Sequence, residues 1–126
     1  MKNKKEANGK INSSDVVELQ KETAHIIIEI VEYVPNAVMS RTIIKKSTGN
    51  VTAMSFSEGE ELSEKTIPFD TYVQIIDGAA DVTISNKNHH LKLGTGIVIP
   101  AHALHHYNAK QKFKMISTVI KSGYED

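Results

Sequence analysis

From Val38 to Ile120 the chain is a succession of short β-forming runs, each closed by Gly, Pro, Asn or Asp. Runs of this length and spacing, with turn residues between them, fold as a sandwich or a barrel. The text predicts strands over Val38–Lys45, Val51–Ser57, Leu62–Ile67 and Thr71–Ile76. Further strands follow over Ala80–Ile84, His90–Leu93, Ile97–Ile99, His105–Ala109 and Phe113–Ile120. Ser47-Thr-Gly-Asn50, Glu58-Gly-Glu-Glu61, Pro68-Phe-Asp70 and Ser85-Asn-Lys-Asn88 read as turns and loops, and Asp77-Gly78 as a tight hairpin turn. No strand–helix–strand rhythm occurs, which argues against a nucleotide-binding parallel sheet. The expected class is all-β.

The N-terminal third reads differently. Residues 1–12 are polar with little apolar content and read as a disordered tail. Residues 13–37 form a distinct N-terminal segment, and residues 38–126 the barrel domain. Ser13-Ser-Asp15 offers a helix cap, and Val16, Leu19, Thr23, Ile26, Ile27, Ile30 and Val34 follow at helical spacing. This predicts a helix from about Ser14 into the early thirties. The β-branched run Ile26-Ile-Ile28 fits an extended strand equally well, so both readings stand. Pro35-Asn36 ends the element either way.

Size and charge narrow the function. At 126 residues the chain has one core's worth of material. Lys plus Arg and Asp plus Glu are 15 each. A balanced charge argues against nucleic acid and anionic membrane as partners, since both need a basic excess. Without cysteine there are no disulfides, no thiolate nucleophile and no Cys-type zinc site. The polar start is not a signal peptide, and no run is long enough to span a bilayer. A soluble cytoplasmic protein is expected.

Gly94-Thr-Gly-Ile-Val-Ile-Pro-Ala-His-Ala-Leu-His-His-Tyr107 concentrates the chemistry. A glycine turn leads into a strand that Pro100 must end, because proline cannot donate to a ladder. The chain then returns as a strand near His105, which places an imidazole at a barrel mouth. Tyr107 shares its face by period two, and His106 points the other way.

This segment, together with Gly59 through Gly78, resembles the two signature motifs of the cupins, which are small jelly-roll β-barrels. The resemblance covers roughly residues 38–120. Leu62-Ser-Glu-x-Thr-x-Pro-Phe-Asp70 and Lys112-Phe-Lys-Met115 are similar to a small branch of the family. The resemblance implies a cupin-like jelly-roll barrel with a helical or extended N-terminal segment. In cupins two histidines, a glutamate and a late histidine hold one divalent metal. Here those positions are Lys65, Ile67, Thr71 and His105. Only His105 keeps its ligand, so no metal is expected by the family pattern. Fe, Mn, Ni or Zn would need a remodelled set of donors.

The candidate ligand-binding residues are Lys65, His105, Tyr107 and Gln74. His105 suits hydrogen bonding or acid–base work because its ordinary pKa lies near working pH; the alternative is a satisfied relic. An inward Lys65 beside it would favour an anion such as a carboxylate or phosphate; otherwise it snorkels to water. Gln74 shares a face with Tyr72, as a contact in the barrel or at an interface. His102 lies in a loop, His89 and His90 read as solvated turn residues, and His25 as structural. Asp70 is placed to cap its own turn. The first functional expectation is a small-molecule binding module, with an anion among the candidate ligands, working as a homodimer because open sheet edges want a partner. The second is a cupin-type dioxygenase, isomerase or lyase with a remodelled metal site, or with metal-free catalysis by His105 and Lys65.

Overall fold

A computed structural model describes residues 17–124. The expected tail and the Ser13-Ser-Asp15 cap lie outside the described residues. The strands are β1 (Val38–Lys46), β2 (Gly49–Phe56), β3 (Glu61–Lys65), β4 (Asp70–Ile84), β5 (Lys87–Lys92), β6 (Gly96–Ile99), β7 (His105–Asn108) and β8 (Phe113–Ile120). All pairings are antiparallel. The class is all-β, as the turn spacing predicts, and the strands form the jelly-roll-type barrel that the resemblance implies.

β4 belongs to both layers. Its first half pairs with β6 and β8, and its second half with β5 and β7. One layer therefore runs β1-β2-β8-β4-β6, and the other β3-β7-β4-β5. Asp77-Gly78 marks the crossing and is not the hairpin turn its dipeptide suggests. The register slips between Ile75 and Asp77, and Gly78 sits at φ +70 against the backbone of Lys112 and Phe113. Pairing with β8 on through Gly78 holds the dipeptide as a bulge, so the strand bends and does not reverse. The true hairpin turn is at Ser85 and Asn86, both with positive φ.

The core lies between the layers. Phe56, Val73, Ile75, Val82, Ile99, Phe113 and Met115 are fully or almost fully buried there. Phe56 stacks on Phe113 with centroids 4.4 Å apart, and Tyr107 tilts against Phe56 at 5.9 Å.

The expected long helix does not form. Among the described residues, the segment before β1 contains one 3₁₀ turn, Ile27–Glu29, and otherwise runs as a strap over the outer face of the first layer. β-branched residues lose side-chain freedom in a helix, and Glu22 already leaves helical geometry at φ +60. The sheet supplies the hydrogen bonds a helix would have made. Lys114 Nζ donates to the Ile28 carbonyl at 2.6 Å, Arg41 Nη1 to Ile30 at 3.4 Å and Ser55 Oγ to Glu32 at 2.7 Å. Every second carbonyl is thus taken by a side chain of the sheet. Ile30 and Val31 pack on Ala53 as a second, smaller core with Leu19, Ile43 and Ile116 at its edge. No helix among the described residues is long and apolar enough to cross a membrane.

Candidate functional site

At one end of the barrel the Pro100 turn is fastened to its neighbours. Asp70, at the start of β4, accepts a hydrogen bond from the Ala101 amide at 2.9 Å. Its carboxylate therefore anchors the neighbouring loop and not its own turn. The His102 amide donates to the Ile67 carbonyl at 2.7 Å. These two bonds bring the end of β3, the start of β4 and the start of β7 to one mouth.

His105 opens β7 and is 2% exposed. Its Nδ1 lies 3.0 Å from the Ala103 carbonyl. A carbonyl only accepts, so Nδ1 carries the hydrogen, and Nε2 of the neutral ring keeps a bare lone pair. Tyr107 follows on the same face, edge-on to the His105 ring at 5.9 Å. Burial pushes the Tyr107 phenol up to about 12, so it stays protonated and able to donate.

Lys65 pairs directly with His105 across β3 and β7. Opposed residues of a ladder share a face, so the Lys65 side chain leaves β3 on the face of His105, just past the register shift that follows Leu62. Lys65 is exposed, which places it at the rim. The structure thus brings Lys65, His105 and Tyr107 to one mouth. Gln74 is not with them. It is exposed on the outer face beside Tyr72, while Val73 and Ile75 between and after them line the core. Of the two placements left open for Gln74, the one inside the barrel is overturned by the phase of β4.

A residue absent from the candidates belongs here. Thr71 is 3% exposed and shares the inward face with Val73 and Ile75. Its Oγ1 is buried with no hydrogen-bond partner. It pairs with Ile99, the last residue before the Pro100 turn, which puts it at the same mouth as His105. The signal in the sequence was weak, because a threonine between apolar neighbours reads as packing.

The remaining histidines lie elsewhere. His102 is exposed in its loop at φ +72, and His25 is exposed on the strap. His106 points away from His105, with Nδ1 3.7 Å from a Glu64 oxygen, beyond hydrogen-bond reach. His89 and His90 are not turn residues but lie within β5. His90 Nδ1 is 3.1 Å from the buried Asp81 carboxylate, and Lys110 is 3.6 Å from it. Burial alone would raise the Asp81 pKa. Hydrogen bonds from His90 and Asn88 and the Lys110 charge outweigh it and hold the carboxyl below its ordinary value.

A second polar cluster pins the strap at the opposite end. The Tyr33 hydroxyl donates to Asp77 at 2.7 Å, and the ammonium groups of Lys112 and Lys114 lie 4.7 and 4.8 Å from its ring centroid. Burial first, then the Asp77 bond, raises the Tyr33 pKa. This arrangement is an anchor, with every charge answered by a neighbour.

The donor set at the mouth does not fit a resident divalent metal. Of the four positions that the resemblance makes ligands, one carries an ammonium, one an isoleucine and one a hydroxyl, leaving a single imidazole. Among the described residues no three His, Asp or Glu side chains gather as a metal-ligand group. Divalent sites need about three or more such donors.

No protein-family model matches the chain, and no curated protein matches it in sequence. Solved structures do. A conserved Streptococcus pyogenes protein of unknown function is 25% identical over 86% of this chain and 95% of its own, with a TM-score of 0.80. A cupin superfamily protein of Desulfitobacterium hafniense is 25% identical over 85% and 98%, with a TM-score of 0.78. A Leptotrichia buccalis cupin 2 conserved barrel domain protein is 30% identical over 75% of this chain, with a TM-score of 0.72. The match spans 46% of that longer chain. The layered topology and these likenesses together give the chain the fold of a small cupin barrel, similar to proteins of the cupin superfamily.

Proposed function

We propose that this barrel binds a small anion at the mouth beside His105, and that it does so without a metal. The observation that carries the reading is the cross-strand pairing of Lys65 with His105. This pairing supports a site with Lys65 at the rim and His105 and Tyr107 buried beside it. A carboxylate or phosphate could take a charge-assisted hydrogen bond from Lys65 while its body enters the apolar mouth. The family's metal would sit where Lys65 now repels it.

The test uses the full chain after chelation, titrated with acetate and with inorganic phosphate while the histidine imidazole signals are followed by NMR. The His105 resonances should move with one or both anions, and Lys65→Met should weaken the response by about tenfold, the worth of one charge-assisted bond. Unmoved His105 signals, or an unchanged affinity in Lys65→Met, would contradict the reading. The two anions separate a carboxylate site from a phosphate site.

A further inference from the structure

We infer that Thr71 is a ligand-binding residue of this mouth, and that the molecule it takes is a small hydroxy acid: an organic anion carrying an alcohol group. The inference rests on the anion reading of the same mouth and adds to it the second functional group of the ligand.

The starting point is a hydroxyl that the free protein does not use. Thr71 is 3% exposed and its Oγ1 has no partner. Buried polar atoms are almost always bonded, and an exception calls for a reason. Packing supplies none. Val73 and Ile75 on the same face are apolar, as are its cross-strand partners Ile99 and Val119. A valine would fill the space of Thr71 with the same shape and no orphaned atom.

The mouth supplies a reason. His105 Nε2 keeps a lone pair because Nδ1 is committed to the Ala103 carbonyl. Thr71 Oγ1 can both donate and accept. An alcohol is the group that answers both, since its O–H donates to Nε2 while its oxygen accepts from Thr71. Lys65 stands at the rim opposite His105 and answers a negative charge. Read from rim to interior, the site asks for an anionic head followed by a hydroxyl.

The experiment is calorimetric titration of the chelated full chain with two matched pairs, lactate against propionate and malate against succinate. Each pair differs by one hydroxyl. The wild type should bind the hydroxylated member about tenfold more tightly. Thr71→Val should abolish that preference, and Thr71→Ser should restore it. Equal affinity within both pairs, or a preference that survives Thr71→Val, overturns the inference and leaves the anion reading intact. Failure of all four acids to bind overturns the inference, and failure of inorganic phosphate as well overturns the anion reading with it.

Discussion

Leaving a hydroxyl buried and unbonded costs stability, and the cost is recovered only when something binds it. Thr71→Val should therefore raise the stability of the ligand-free protein by about 1 kcal/mol, read from thermal or urea unfolding. A loss of similar size would show that Oγ1 does have a partner. Asp81 makes the opposite kind of statement. Its folded pKa is depressed, so it contributes stability that is present above its unfolded value, near 4, and lost as pH falls through the lower folded value. Asp81→Asn should flatten the acid side of the stability profile below about pH 4. An unchanged acid limb would contradict that. Neither residue was identifiable from the sequence. Thr71 looks like one more β-former, and the Asp81–His90 pair exists only once β4 and β5 are in register.

Two elements differ most from their sequence patterns, and both respond to neighbours. Asp77-Gly78 is a turn dipeptide in isolation, yet β8 binds it on through Gly78 and makes it the bend that carries β4 from one layer to the other. Gly78→Ala puts a Cβ against the Lys112 carbonyl at φ +70. It should cost at least about 2 kcal/mol, well beyond an exposed glycine substitution. A loss under half that size would mean the bulge relaxes freely. The strap has helical spacing but an extended path, because Lys114, Arg41 and Ser55 offer its carbonyls partners that local sequence cannot reveal. Ile30 fills the small core beneath it. Ile30→Ala should cost roughly 2–3 kcal/mol in a two-state unfolding measurement. A negligible cost would mark the strap as a loose appendage. The alternating runs such as Val51–Phe56 were legible because one face of each had to be apolar to make the barrel core.

At the scale of the whole molecule, the barrel frame is readable from residue order, in the spacing of the glycine and proline turns between the strands. What the order could not show is which side chains meet. Strand phase brings Lys65, His105, Tyr107 and Thr71 to one mouth and turns Gln74 outward. The proposed function rests on one imidazole and one ammonium on the same face of that mouth. The most direct measurement is calorimetric titration of the full chain with acetate before and after exhaustive chelation. Binding of the same strength in both states, unaltered by added Fe, Mn, Ni or Zn, is the predicted result. Binding that vanishes on chelation and returns with one of those ions would contradict the central claim.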